Sequence, residues 1–565
     1  MIGVIVKDQD KTIVEEFFEL FKTPWEFYKN GCSYDVVLTT GNDIEGIDAK
    51  LIIIYGSERK KIDAENNPLQ SPFIKGGLRG MGDKRGFDRV FSGEDFLPIY
   101  GKMATFAASG KVLLKMEKTN EAVGIEIENN DASRRIFRIG YDLFQEIAFL
   151  LTSGQPIEHS YIPTLELHTS LLRNMILGCG IPLVEIPPVP AGYQFIVCLT
   201  HDVDFIKIRD HKFDRSVMGF ILRVIFLRYL RDVNSKFSWS KLYKNWKALL
   251  SLPGVYTGFF RDFWFDIDRY MEIEKKTSST YFFIPFQGQP GNLPADKQQL
   301  SRAASYNIND YTGLINELIK EGHEVGLHGI DAWHSAEEGL KEHEIIRKMT
   351  GEEDVGVRMH WLYFSEESPA ALDKAGFAFD STRGYNDAVG YLSGTAQVFR
   401  LPGSSNMSEL PLIVMDTALF YSKRMGLDNH EALNLCKSLI ADMRIYGGAF
   451  TINWHTRSLG PERNWDDFYI ELIKMLKKEN VWFAKAKKAV TWFRKRRSIR
   501  FCDISFSGNE VKLKVMPNKK DDLPPLVFRI YRPENETRNL KDMSGSKCSF
   551  IDITWSGETE VSVGS

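Results

Sequence analysis

At 565 residues, with 43% hydrophobic and 12% aromatic side chains, the chain can bury several cores, and about two to four domains are expected. Lys+Arg 72 against Asp+Glu 75 leaves a net charge of −3, which gives no electrostatic footprint for a nucleic-acid partner. Six scattered cysteines without a CxxC, an N-terminus lacking a basic segment ahead of a long apolar run, and the lack of an uninterrupted apolar stretch of ~18 residues together predict a reduced, cytoplasmic chain with no signal peptide and no spanning helix.

Residues 1–188 read as an N-terminal α/β domain. Ile2–Val6, Tyr34–Leu38 and Leu51–Tyr55 have strand composition, and Thr12–Phe21 places Val14, Phe17, Phe18 and Phe21 at helical spacing. The glycine-rich run Gly76–Gly82 lacks the P-loop lysine and the GxGxxG order, so it reads as a loop. Val112–Met116 and Ala122–Ile127 are expected to pair, and two helices follow over Tyr141–Leu151 and Leu165–Leu177. His159 and His168 read as surface or packing residues, and no catalytic constellation is visible in this region.

The Ile186–Gly192 run, with three prolines, reads as a linker. From 193 to 497 the pattern alternates. Strands are predicted at Phe195–Thr200, Tyr281–Ile284, Glu324–Leu327, Gly356–Arg358, Ala378–Asp380, Val398–Leu401 and Ala449–Asn453. Helices fall between them at Tyr311–Glu321, Glu337–Met349, Ser368–Ala375, Asn429–Ile445 and Trp465–Lys478. Such βα units close into a barrel or a doubly wound sheet. Residues 498–565 lose helical patterning and read as a small β-rich module, one that binds sugar or packs on the barrel.

Chemistry concentrates at four strand ends. The first reads Thr200-His201-Asp202-Val203-Asp204, with two carboxylates at i, i+2 that an extended backbone turns to one face. Two carboxylates in one pocket need a cation or a shared proton between them; otherwise one caps a turn and the other is solvated. The second runs from Glu324 through His328 and Asp331 to His334, the third is Arg358-Met359-His360-Trp361, and the fourth is Asn453-Trp454-His455. Five of the eleven histidines lie in these four stretches, and barrel topology brings strand C-termini to one rim.

These motifs resemble those of the polysaccharide deacetylase family, the NodB-homology or carbohydrate esterase family 4 fold, over about residues 195–495. The resemblance implies a distorted (β/α) barrel that hydrolyses acetyl groups on sugars with one divalent metal, commonly zinc, held by one Asp and two His. Carried over residue by residue, it makes Asp202 the general base, Asp204 and His328 metal ligands, Arg358 the residue orienting the base, and His455 the general acid. The second metal-binding histidine departs from the family spacing: position 332 is alanine, so His334 is expected to complete the site, with Asp331 as competitor. His360 stands where the family often has proline, and its role is open. His323, ahead of its strand, reads as surface. Asp380 is expected to support the site from behind the residues that touch metal. Trp333, Trp361, Tyr385 and Trp454 would line a floor for the acetyl methyl or stack on a sugar ring, or else pack in the core.

Three functions follow: a metal-dependent carbohydrate deacetylase, an amidohydrolase of the same fold acting on a non-sugar amide, and a non-catalytic glycan binder. Residues 205–250 hold eleven Lys and Arg against three Asp, with an apolar run at Val217–Leu230. They form either a barrel helix with a solvated basic side or a peripheral contact with an anionic membrane. The basic run Lys485–Arg500 is expected to sit favourably at the C-terminus of its own helix.

Overall fold

A computed structural model describes the chain except residues 67–87, 93–94, 107–110, 130–132, 213, 228–238, 293–301, 508–509, 516–520, 534–548, 556 and 564–565. The glycine-rich run Gly76–Gly82 lies outside the described residues.

The N-terminal region is built on a nine-stranded sheet. Trp25–Phe27, Ile2–Ile5, Ser33–Thr39, Asp48–Tyr55 and Arg135–Ile139 run parallel in that spatial order. Ala122–Ile127, Val112–Met116, Asp88–Ser92 and Asp95–Ile99 then continue antiparallel, the first two pairing as their composition predicts. The helix Lys11–Phe21 buries Val14, Phe17, Phe18 and Phe21 against this sheet. His159 and His168 are both buried packing residues, placed beside the hydroxyls of Tyr100 and Tyr141.

The central region is a curled, mostly parallel α/β sheet of the distorted-barrel type. Its order is Phe399–Arg400, Ser408–Glu409, Phe379–Asp380, Gly356–Met359, Glu324–Gly329, Thr280–Phe283, Ile196–Val203, Ala449–Asn453, Val414–Met415. Trp482–Phe483 pairs beside the start of Ile196–Val203. Only Phe399–Arg400 runs antiparallel. One segment, 408–415, closes the curl: Ser408–Glu409 pairs with Phe379–Asp380, and Val414–Met415 pairs with Ala449–Asn453. Every residue of Ile196–Val203 and of Ala449–Asn453 is buried, as parallel strands covered on both faces must be. Helices cap as their sequences ask: Ser335 accepts from the Glu338 amide, and Asp428 and Glu431 form a reciprocal box ahead of Asn429–Tyr446.

The C-terminal strands form two three-stranded sheets. Phe501–Ser507, Glu510–Val515 and Glu560–Val563 make one; Leu526–Tyr531 and Phe550–Trp555 make the other, joined by Leu183–Glu185 from upstream of the proline-rich run. This module packs on the helix Ala486–Ser498, where Trp492 donates to the Pro524 carbonyl and Lys488 and Lys495 pair with Asp522 and Asp521.

Lys495, Arg496 and Arg497 stand in the last turn of Ala486–Ser498, where the sequence puts them, and two of them also reach the N-terminal region. Arg496 is buried and donates to the carbonyls of Ile186, Glu19 and Leu20, while Arg497 forks onto Glu16. Arg496 thus satisfies carbonyls ending the N-terminal helix Lys11–Phe21, and Arg497 pairs with a carboxylate on that helix. Among the described residues, no helix is long and apolar enough to cross a membrane.

Candidate active site

Three strand ends deliver the site by one rule of extended backbone, that residues i and i+2 share a face. In Ile196–Val203, Thr200 and Asp202 face the pocket side, and His201 between them turns away to stack on Tyr281 and pair with buried Glu274. In Ala449–Asn453 and the residues after it, Asn453 and His455 face the site, and Trp454 turns into the core against Phe468 and Tyr469. In Gly356–Met359 and the residue after it, Arg358 and His360 face the site, with buried Met359 between them.

Asp202 is fully enclosed by donors. Arg358 Nη1 donates to Oδ1 at 3.1 Å, Asn453 Nδ2 donates to Oδ2 at 2.6 Å, and the Asp202 amide donates back to Asn453 Oδ1 at 3.2 Å. Burial works against its charge, but His328, Arg358 and His455 together outweigh burial and hold the carboxyl below its ordinary range. Arg358 is itself clamped, donating to Thr200 Oγ1 and to both the carbonyl and the hydroxyl of Ser381. Asp380 makes none of these bonds and lies one hydroxyl away from the Met359 amide. It accepts from Thr382, whose hydroxyl oxygen accepts the Met359 amide, and burial pushes the Asp380 carboxyl up to about 6.

Asp204, His328 and His360 form the one group among the described residues whose donor atoms could hold a metal ion, all lying within 4.8 Å of one another. Asp204 Oδ1 is 3.2 Å from His328 Nε2 and 3.5 Å from His360 Nε2. These spacings match the ~3.4 Å edge of a tetrahedron with ~2.1 Å metal–ligand bonds. The residues fit a divalent cation on three further counts. Asp204 Oδ1 is buried with no hydrogen-bond partner. His328 Nδ1 donates to the Arg358 carbonyl at 2.9 Å, which turns Nε2 toward Asp204. Burial pulls His360 down to about 3, leaving a neutral imidazole. Burial also opposes the charge on Asp204, yet His360, His328 and His455 hold it far below the carboxylate range.

His334 is not in this group, which corrects the placement expected from sequence. The loop after His328 is pinned by buried Glu342, which accepts the Ile330 and Asp331 amides at 3.0 and 2.7 Å. The chain then turns over Asp331 and enters the Ser335-capped helix, leaving His334 Nε2 3.3 Å from Asp331 Oδ1. Asp331 is occupied as well, accepting the Asn292 amide. His360 takes the third place because Gly356–Met359 lies next to Glu324–Gly329, with His328 and Arg358 in register. The rings of His328 and His360 stand 4.8 Å apart. Trp361 and Leu362 follow with φ of 65° and 54°, a left-handed pair that turns the chain sharply away behind His360.

His455 faces Asp204 from the other side, its Nε2 3.8 Å from Oδ2. Its Nδ1 donates to Asp416 Oδ1 at 2.6 Å and its amide to Asp416 Oδ2 at 2.7 Å. Burial lowers the pKa of His455, but Asp416, Asp204 and Asp202 overcome that and lift it to about 9. Sequence reading missed Asp416 and Asn453. Asp416 follows a two-residue strand too short to show periodicity, whereas Asn453 was legible as the i−2 neighbour of His455.

The pocket measures about 310 Å³ and is lined by Asp202, Asp204, His328, His360 and His455 among others. Of the four aromatic residues expected there, Trp361 lines it. Trp454 is core, Tyr385 donates to the Gln155 carbonyl of the N-terminal region, and Trp333 packs on Tyr363 and His334. Aromatic type alone does not say which way a side chain faces. His323 is buried, not on the surface, and accepts the Ser279 amide.

No family model matches the sequence, and no curated protein matches it. Among solved structures, one described as a polysaccharide deacetylase from Mycobacterium smegmatis is 18% identical, with 55% of this chain and 96% of that one covered at a TM-score of 0.33. An allantoinase is 14% identical over 55% of this chain and 93% of its own, with a TM-score of 0.35. A family 4 acetyl xylan esterase from Clostridium thermocellum, solved with a cobalt ion, is 14% identical over 53% and 91%, with a TM-score of 0.23.

Proposed function

We propose that this protein is a metal-dependent hydrolase that removes acetyl groups, N-acetyl in the first instance, from a carbohydrate. The observation that carries this reading is the placement of two separately partnered proton-handling groups beside one cluster that could hold a cation. Asp202 is held by Arg358 and Asn453, and His455 by Asp416. Asp204, His328 and His360 would hold the metal. Two imidazoles and one carboxylate suit zinc and leave a coordination position open. Bound there, the cation would lower the pKa of a water and polarise the acetyl carbonyl.

The chain's own residues supply the rest. Asp202, kept ionised by Arg358, accepts the proton of the attacking water. Asn453 fixes the orientation of its carboxylate. His455 is protonated at neutral pH and donates from Nε2 to the leaving nitrogen, while Asp416 holds Nδ1–H and stabilises the imidazolium. A non-catalytic glycan binder would have no need for both proton-handling groups to keep such enclosed partners.

Purified protein is expected to carry about one equivalent of zinc by elemental analysis and to release acetate from N-acetylated sugars. Chelation should abolish release and zinc should restore it. Ring opening of cyclic amides to acyclic carboxylate products, with no acetate from any sugar, would move the assignment to the non-sugar amidohydrolases.

The reading includes peripheral contact with an anionic membrane through the insertion after Asp204. The helix Trp239–Thr257 and the turn after it expose Trp239, Tyr243, Trp246, Leu250, Phe259 and Phe260 beside Lys247 and Arg261. Aromatic rings flanked by cations are the composition of an interfacial helix. Flotation with vesicles is expected to recover more protein as the anionic lipid fraction rises, and to fall when Trp239 and Phe259 are both replaced by serine. Equal recovery with neutral vesicles would remove the membrane contact from the assignment.

A further inference from the structure

The chemistry above uses Arg358 alone among the arginines, yet the pocket is lined by five others: Arg223, Arg302, Arg424, Arg457 and Arg463. Arg302 is accounted for structurally, since it donates to the carbonyls of Pro290, Ile330 and His360. The remaining four lie on the His455 side. Arg463 donates to Ser458, which donates to Asp416, so it stands two hydrogen bonds behind the His455 ring partner. Arg424 and Arg463 both lie over the ring of Tyr421. Arg457 lies over Trp264 with its Nε on Glu462 at 2.6 Å, while its buried Nη2 has no hydrogen-bond partner. Arg223 rises from the insertion, on the turn Arg223–Leu227.

These cations crowd one another. Arg223, Arg457 and Arg463 repel one another around Glu462, Asp416 and Asp204 also answer Arg463, and Asp387 lies 3.7 Å from Arg424, while burial together with the repulsion draws Arg457 down to about 10. Beyond these carboxylates, four arginines on one wall of a half-enclosed pocket still present guanidinium donors to whatever enters it, which an anion would answer best. A neutral N-acetyl sugar has no group that would do so. A divalent cation on Asp204, His328 and His360 would add further positive charge to the same wall.

Resting on the deacetylase reading of this site, we propose that the substrate carries an oxyanion, a phosphate or a carboxylate, which docks on Arg223, Arg457, Arg463 and Arg424 while the acetyl group faces Asp204. The arginine forks match the planar or trigonal oxygens of such groups and set which end of the substrate enters first. Arg223 links specificity to the insertion, because it is the member of this set that residues 205–250 contribute.

The test is binding, which needs no turnover. Calorimetric titration of the full chain would use N-acetylglucosamine 1-phosphate, N-acetylmuramic acid and neutral N-acetylglucosamine, before and after chelation. Both charged sugars, or one of them, should bind at least ~10-fold tighter than the neutral sugar, and the tighter of the two identifies phosphate or carboxylate as the anion. The preference should survive chelation and should shrink ~10-fold in Arg223→Gln, a side chain exposed enough to be replaced without unfolding, with Arg424→Gln as an independent second variant. Equal affinity for charged and neutral sugars, or a preference that vanishes on chelation and so belongs to the metal, would overturn the proposal. Acetate release from neutral sugars without anion preference would leave the deacetylase reading standing and this one refuted. Anion preference without acetate release from any of the three would do the reverse.

Discussion

Replacing His360 with alanine is expected to strip the divalent cation from the protein, whereas His334→Ala is expected to leave it bound. His360 Nε2 lies 3.5 Å from Asp204 Oδ1, and His360 and His328 share one cluster with that carboxylate. His334 spends its ring on Asp331. Loss of a hydrogen-bond partner behind a metal ligand typically weakens binding ~10–100-fold, so removal of a ligand itself should exceed that range. Elemental analysis of the two variants after dialysis would read the difference directly, with thermal melting as the check that His360→Ala still folds. Metal lost from His334→Ala and kept by His360→Ala would reverse the ligand assignment.

That correction shows where the sequence was legible and where it was not. The strands Ile196–Val203, Glu324–Gly329, Gly356–Met359 and Ala449–Asn453 announce themselves as apolar runs, and their polar ends named Asp202, Asp204, His328, Arg358 and His455. The structure brings those five to one place. Spacing along a loop is different information. Five residues between His328 and His334 suffice to reach a shared metal if the loop is free, but Glu342 pins it, and Glu342 comes from the following helix, fourteen residues beyond His328 and eight beyond His334. No local pattern reports such a restraint. His360 was hidden for another reason. Its place depends on two neighbouring strands being in register, and register is a property of the pair. The alternation that places Asn453 and His455 on one side and Trp454 on the other was available from the strand period, and it would have assigned Trp454 to the core.

Asp202→Asn is expected to keep the metal and to lose ~10²–10⁴ in kcat, the range for one general acid–base group. Asp204, His328 and His360 are untouched by this change, so the cation-binding cluster is intact. What goes is the proton acceptor. The new amide also presents an N–H₂ to either Arg358 or Asn453, both of which are donors in the native site, so some loss of melting temperature should accompany the kinetic effect. Metal loss in this variant would mean that the two carboxylates trade roles, a real contest because Asp202 Oδ2 lies only 3.8 Å from His328 Nε2. His455→Gln should lower kcat over a similar range, and by the least for substrates whose leaving group needs no proton. Combining the two changes should cost less than the product of the separate losses if base and acid act on one intermediate, since removal of either leaves the other little to do. Full multiplicativity would place Asp202 and His455 in separate steps, and unchanged turnover in either single variant would take that residue out of the chemistry altogether.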